Sequence, residues 1–357
     1  MIKIGDDSVG RSQFIDYMLY LFQVTSEPTY PTTIHIPTPE FNEYIEILYS
    51  RNGQDSPEII VDNDYPIIDI ADDPNHVVLA FSGGKDSVAH AAFLKDHNFN
   101  PTLYFVRHMN RAYPNELNVA HDIANMLQCP MIEDYISYSG SVAKAESPVK
   151  NHLILSLIID YMRQNNLTRC ACGTYIEDNL DKTPTQFGLS DAYEFYLAFM
   201  KGVKSFFPNF KWLCWFQSEF HAMSYLVHTH PELIPHYQSC LLPDRYRKNI
   251  RNVNEKKFNI TLMPNRCLSC WKCAQEYLIL SDLNYLPKPD ERLFNHFLEV
   301  FKKDLPKVMS EEQLAVVRTK EETIPELLDH FITEGDNEIY GTLEQVMEHI
   351  DMEVFKW

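Results

Sequence analysis

The stretch from residue 77 to residue 97 constrains the fold more than any other. Val77-Val78-Leu79-Ala80-Phe81 is a continuous apolar run of strand length, the pattern of a strand buried on both faces. Ser82-Gly83-Gly84-Lys85-Asp86-Ser87 follows at once, and a helical pattern runs from about residue 86 to residue 97. A buried strand that feeds a glycine turn and then a helix belongs inside a sheet, with the helix crossing back over one face. The paired glycines let the main chain turn sharply and aim several N–H groups at one point. The helix N-terminus adds its partial positive charge. Ser82 and Ser87 offer hydroxyls, and Lys85 offers a point charge for a leaving phosphate group. Asp86 offers a carboxylate to orient the loop or help hold Mg²⁺. An ordinary glycine turn with polar neighbours is the plainer alternative.

The same alternation continues downstream. Residues 102–106 read as a second strand, and Pro114 opens a helix at the position where its missing N–H costs nothing. Leu117, Ala120, Ile123, Ala124 and Leu127 lie along one face of that helix. Residues 131–136 read as a third strand, 151–165 as an amphipathic helix and 168–173 as a fourth strand. This order implies an α/β fold: a parallel, Rossmann-like sheet with helices on both faces. A core domain is placed at residues 75–235, after an N-terminal extension at 1–74. The extension is rich in Pro and Tyr at residues 30–39 and has apolar runs at 59–61 and 66–70, so a small mixed or strand-rich element packed on the core is expected. After Thr174 the chain reads as mainly helical, broken by Pro184, Pro208, Pro231, Pro235 and Pro243, and residues 236–357 form a helical C-terminal region. From about Asp290 it is helical and strongly acidic, which suits a docking surface or a solvated cap.

Lys plus Arg number 31 against 50 Asp plus Glu, a net charge of −19. Such a surface repels a phosphate backbone unless its cations cluster tightly. The densest group is Arg245, Arg247, Lys248 and Arg251, so a nucleic-acid partner is not expected. The opening MIKIGDDSVGRSQF has no charged-then-apolar leader pattern, and no apolar run reaches membrane-spanning length. A cytoplasmic protein without membrane contact is expected, and in that compartment cysteines serve metals, catalysis or the core before disulfides.

Four of the eight cysteines fall into one pattern. Cys267, Cys270 and Cys273 form C-x2-C-x2-C, and Cys240 lies upstream. Four thiolates satisfy tetrahedral zinc and close the site, so structural Zn²⁺ is the first reading. A [4Fe–4S] cluster on three cysteines and free redox thiols are the alternatives. Cys129, Cys170, Cys172 and Cys214 are read as core residues, and His228, His230 and His236 as exposed or core-capping side chains rather than ligands.

The loop at 82–87 resembles the SGG-x-DS signature of PP-loop ATP pyrophosphatases. With the S-C pair at 239–240 and the C-x2-C-x2-C at 267–273, residues 76–285 resemble the QueC family, the 7-cyano-7-deazaguanine synthases. Glu116-Leu117, the segment from Gly173 to Asp178 and His236-Tyr237-Gln238-Ser239-Cys240 add to the likeness. The resemblance implies ATP cleavage between the α- and β-phosphates and adenylation of 7-carboxy-7-deazaguanine. Ammonia then displaces AMP to give an amide, and a second adenylation gives the nitrile. It implies Lys85, Asp86 and Asp178 as catalytic residues, and Arg111, Glu116, Lys150 and Asn151 near the substrate. Asp178 equally suits a helix N-cap. A homodimer is also implied.

Departures from the family pattern fall where base and nucleophile would be held. The stretch after the second strand reads His108-Met109-Asn110-Arg111-Ala112-Tyr113, and the gap from Cys240 to Cys267 is long. The chain is in this respect similar to QueC-like enzymes of bacterial anti-phage operons of the Qat and type IV CBASS kinds. There the resemblance implies a protein amine in place of ammonia, hence a partner protein as substrate. Rival readings are a tRNA sulfurtransferase, an ammonia-dependent amide synthetase for another acid, and a non-catalytic nucleotide-binding module.

Overall fold

The computed structural model describes residues 2–4, 15, 18, 32–51, 53–62, 65–71, 73–108, 114–138, 147–173, 191–213, 219–238, 240 and 244–304. The extension supplies β1 (Ile2–Ile4), β2 (Thr33–Ile36), α1 (Asn42–Arg51) and β3 (Glu58–Val61). Next come β4 (His76–Ala80), α2 (Lys85–Asp96), β5 (Asn100–His108), α3 (Pro114–Leu127), β6 (Met131–Tyr138), α4 (Ser147–Gln164) and β7 (Arg169–Ala171). They are followed by α5 (Asp191–Phe206), β8 (Lys211–Leu213), α6 (Glu219–Thr229), α7 (Asp244–Phe258), α8 (Trp271–Asp282) and α9 (Glu291–Asp304). Several helix ends are written in the sequence. Asn98, Asn166, Asn259 and Asn284 take the left-handed conformation just past α2, α4, α7 and α8, where Asn serves nearly as well as glycine.

The main sheet has the order β1-β6-β5-β4-β7-β8. The pairs β4–β5, β4–β7, β5–β6 and β7–β8 are parallel, and only β1 runs antiparallel, against β6. Counted along the chain, the five parallel strands stand in the order 3-2-1-4-5, the doubly wound arrangement. Alternation along each strand divides two cores. Val78, Tyr104 and Cys170 join one hydrophobic cluster with α1, α4 and α5. Their neighbours Val77, Leu79, Leu103, Phe105 and Ala171 join another with α2, α3, α6 and α8. Period-two side chains and a helix layer on each face account for both.

Two strands of the main sheet escaped the sequence reading. β8 lies in the stretch read as helical, and β1 has three residues at the sheet edge. Neither is long enough to show a period, and only pairing with β7 and β6 makes them strands. In the extension, β2 and β3 pair in parallel as a separate two-stranded sheet. The apolar run at 66–70 forms no strand; its Ile68 N–H instead donates to the carbonyl of Phe206 at 2.6 Å. Ile34, Phe41, Tyr44 and Leu48 share one hydrophobic cluster with Phe199 and Phe206 of α5, so core runs continuously across the expected boundary at residue 74. Among the described residues, no helix is long and apolar enough to cross a membrane.

Candidate active site and cysteine centre

In a doubly wound sheet, ligands bind beyond the C-terminal strand ends where the strand order reverses. Here that point lies between β4 and β7, and residues 82–87 leave β4 directly at it. Gly83 takes φ +70°, a conformation that glycine alone adopts without strain. A side chain there would also press on the backbone of Ala120 in α3, 3.3 Å from its N. From the other side Gly173 closes on the loop: a Cβ there would stand 2.9 Å from Ser87 N and 3.0 Å from Asp86 Cβ. The serines knit the loop to itself. Ser82 N–H donates to Ser87 Oγ at 3.2 Å, Ser87 Oγ–H donates to Gly84 O at 3.1 Å, and Gly84 N–H donates to Ser82 Oγ at 3.3 Å. Gly84 is the N-cap of α2, with no side-chain cap bond, which leaves that helix end to a ligand.

Lys85 does not reach into solvent. It is 6% exposed, with Nζ 2.6 Å from Asp86 Oδ1 and 3.3 Å from Glu219 Oε1 at the start of α6. Burial opposes its charge, but Asp86, Glu219 and Glu276 outweigh burial and hold its pKa above the ordinary lysine range. Glu219 Oε2 in turn accepts from Gln275 Nε2 of α8 at 3.2 Å. Glu219 and Gln275 were invisible to sequence reasoning, since their roles arise only when α6 and α8 pack beneath the loop.

The four cysteines meet as expected. Cys240, Cys267, Cys270 and Cys273 are buried, and their sulfurs all lie within 4.8 Å of one another. The pairs Cys267–Cys273 and Cys240–Cys270 stand 3.8 and 3.9 Å apart. Zinc–sulfur bonds of about 2.3 Å place tetrahedral sulfurs roughly 3.8 Å apart, so the donor set fits one tetrahedral ion. A four-iron cube holds its cysteines farther apart, and a disulfide far closer. Leu268 takes φ +58° between two ligands, and Ser269 N–H donates to Cys267 Sγ at 3.3 Å. Hydrogen bonds among the thiols, Cys267 first, push Cys240 down, while the bond from Cys240 pushes Cys267 and Cys273 up. A bound zinc ion would require the thiols to release their protons.

A sealed ionic cluster joins this centre to the loop. Arg266 donates to Glu276 Oε1 from Nε at 2.8 Å and from Nη2 at 2.5 Å, and to Tyr237 O at 2.8 Å. Tyr237 Oη–H donates to the same carboxylate oxygen at 2.7 Å. The next residue, Gln238, donates its N–H to Gly83 O at 3.0 Å. The H-Y-Q-S-C segment therefore touches the loop at 82–87 through Gln238 and the cysteine centre through Cys240.

The remaining expected residues divide. Glu116 lies in the first turn of α3, one turn before Ala120 on the same face, and is half-buried. Lys150 and Asn151 lie in the first turns of α4, with side chains outside the described set. Arg111, Asp178 and Cys214 lie outside the described residues, as does the acidic stretch after residue 304. Cys129 and Cys170 are core, and Cys172 is half-buried at the end of β7. His228 bonds the carbonyl of Ser224, His230 sits between Asp96 and Glu232, and His236 is exposed. The basic group falls on α7, where Arg247 is buried and Arg251 donates to Pro264 O, which leaves Lys248 as its exposed cation among described side chains.

No protein-family model matches the sequence. No curated protein matches it. Among solved structures, it is similar to the predicted subunit of a tRNA methyltransferase from Methanocaldococcus jannaschii, with 21% identity, 42% of this chain and 71% of that one covered, and a TM-score of 0.27. It is also similar to an NH3-dependent NAD synthetase from Campylobacter jejuni, with 13% identity, 66% and 90% covered, and a TM-score of 0.30. An NMN synthetase from Francisella tularensis is 12% identical, with 84% and 99% covered and a TM-score of 0.30. None of these likenesses carries a functional conclusion.

Proposed function

We propose that this chain is an ATP-dependent adenylating enzyme of the PP-loop, QueC-like kind. Its carboxylate substrate is 7-carboxy-7-deazaguanine: a carboxylate oxygen attacks the α-phosphorus, pyrophosphate leaves, and an acyl-adenylate remains. A nitrogen nucleophile then adds to the acyl carbon and AMP departs with the former carboxylate oxygen. With ammonia this gives the amide, and adenylation of the amide oxygen by a second ATP leads to the nitrile. With a protein amine it gives a deazaguanine-modified partner, the outcome suited to anti-phage defence. The observation that carries the reading is the S-G-G-K-D-S loop at the order reversal of the sheet, with an uncapped helix N-terminus behind it. Such a loop supplies position and phosphate-charge stabilisation, which is what this chemistry requires. The half-exposed Asp86 carboxylate fits Mg²⁺, which would neutralise phosphate charge. Arg111, Glu116, Lys150 and Asn151 are assigned to the base and carboxylate, Asp178 to the nucleotide or its metal, and the cysteine centre to structural zinc.

The test is incubation with ATP, Mg²⁺ and 7-carboxy-7-deazaguanine, with AMP and the deazaguanine followed by mass spectrometry, with and without ammonia. A Ser87→Ala variant is the control. AMP that forms only with the deazaguanine acid supports the reading, and the product identifies the nucleophile. Stoichiometric nitrile from ammonia alone removes the partner-protein branch. AMP triggered instead by another carboxylate or by a tRNA keeps the loop chemistry and replaces the substrate. Pyrophosphate release under no condition leaves a nucleotide-binding module.

A further inference from the structure

The long interval between Cys240 and Cys267 holds α7, and the two faces of that helix differ. The inner face is anchored. Phe258 and Ile250 pack in the hydrophobic cluster of the four cysteines, and Asn254 Nδ2 donates to Cys267 O at 2.6 Å and to Ser269 Oγ at 2.9 Å. On the outer face Tyr246 and Val253 stand seven residues apart, hence two turns along one side, at 49% and 63% exposure. Lys248, Lys256 and Lys257 are exposed around them. Glu255 is half-buried and accepts from Leu262 N–H at 2.9 Å, so among described side chains every exposed charge on α7 is a cation. On a chain of net charge −19, a basic and apolar face invites an acidic and apolar partner.

The chain carries a matching piece. Residues 305–357 hold 13 Asp and Glu against 4 Lys and Arg, and they lie outside the described residues. In sequence, Leu343, Val346, Met347, Ile350 and Val354 recur at the spacing of one helix face. Thr342 and Gln345 have the spacing of a capping box at its start. Glu344, Glu348 and Asp351 fall together beside the stripe, and no Lys or Arg occurs from 343 to 355. The tether suits the face as well. This segment follows α9, which packs on α7: the Phe258 ring lies 4.9 Å from the His296 ring and 5.7 Å from the Arg292 guanidinium. A helix of that length is about 20 Å long, well within the reach of the chain between Asp304 and Leu343.

We propose that the outer face of α7 is the docking site for the acidic segment 343–355 of the same chain. Tyr246 and Val253 meet its apolar stripe, and Lys248, Lys256 and Lys257 meet Glu344, Glu348 and Asp351. Tethering holds the segment near the face at an effective concentration on the order of millimolar, so a contact too weak for two separate molecules suffices within one. The proposal is independent of the reading of residues 82–87.

The experiment places a photo-crosslinking side chain at residue 253 of the zinc-loaded full-length protein and maps the products by mass spectrometry. The expected product is a crosslink within one chain to residues 343–355, with a yield independent of protein concentration. Lys256→Glu with Lys257→Glu should lower that yield roughly tenfold at low salt, the order of two exposed ion pairs made repulsive. Adding Glu344→Lys and Glu348→Lys to the same chain should restore most of it. All four positions are charged residues, and melting temperature and zinc content confirm that each variant is folded. Crosslinks to any other part of the chain overturn the proposal, as does the absence of a crosslink. Products that join two chains and grow with concentration overturn it in favour of a second copy as occupant. A yield unchanged by the charge reversal, or lost and not regained on the swap, overturns the pairing of these lysines with the acidic segment.

Discussion

Lys85 and Arg266 are both cations buried among carboxylates, and their surroundings differ in kind. Arg266 and Glu276 are 3% and 1% exposed, and the guanidinium fork spreads over a carboxylate oxygen and the carbonyls of Tyr237 and Ile234. Its face also lies 4.4 Å from the Tyr237 ring. One cation meets one anion there, and the planar fork has little freedom left. The Lys85 cluster puts one cation in contact with two carboxylates, one of them at the loop surface, and also feels the charge of Glu276 from the first cluster. The first arrangement holds three segments of chain together. The second leaves more carboxylate than cation beside the loop at 82–87. A buried ion pair gains little over an apolar replacement but costs much when halved, so the sealed cluster is a register device as much as a source of stability.

The largest effect should come from the zinc proposed for the cysteines beside the sealed cluster. Structural zinc contributes on the order of 10 kcal/mol, so chelation or Cys270→Ser is expected to unfold the region around residues 240–304 and abolish ATP binding. Zinc content, circular dichroism and nucleotide titration check this together. Undiminished ATP binding by metal-free protein would break the link from Cys240 through Gln238 to Gly83.

Next in size, Arg266→Leu leaves Glu276 buried without its cation and should cost about 3–5 kcal/mol in urea unfolding. Adding Glu276→Leu should restore most of that loss. Asp86→Asn is the contrasting case: less than about 1 kcal/mol of stability, but a fall in AMP formation of roughly 100-fold or more, as expected when a group that acts on transition-state charge is lost. Comparable stability losses for Arg266→Leu and Asp86→Asn would erase the distinction between the clusters.

The smallest effect belongs to a third, outer cluster. Burial works against the charge on His230, but the bonds to Asp96 and Glu232 outweigh it and raise its pKa. A raised folded value means stabilisation fully present below the unfolded value of about 6.5, lost as pH rises through the folded one. His230→Gln should therefore destabilise by up to about 1 kcal/mol near pH 6 and by less near pH 9. Chemical unfolding at the two pH values measures the difference, and equal losses at both would show that the histidine acts by packing alone.

What was legible in the sequence was local. Val77 to Phe81 announced a buried strand, Gly83 a turn that glycine makes readily, and the C-x2-C-x2-C a shared cluster of thiols. Each of these signals depends on backbone sterics or ligand chemistry within a few residues. β1 and β8 were not legible, because three residues carry no period and become strands only by pairing.

The sequence by itself determined the alternation of strand and helix, the glycine turn after the first buried strand and the identity of the four cysteines that meet. Only the tertiary structure decided that Gly173 would close over Ser87, that Gln238 would tie the loop to the cysteine centre, and that Lys85 would turn inward to Glu219. The physical reason is separation along the chain. Contacts among residues 83, 85, 173, 219, 238 and 275 cost loop-closure entropy that only the assembled sheet and its two helix layers repay. No local propensity encodes which carboxylate a buried lysine will find.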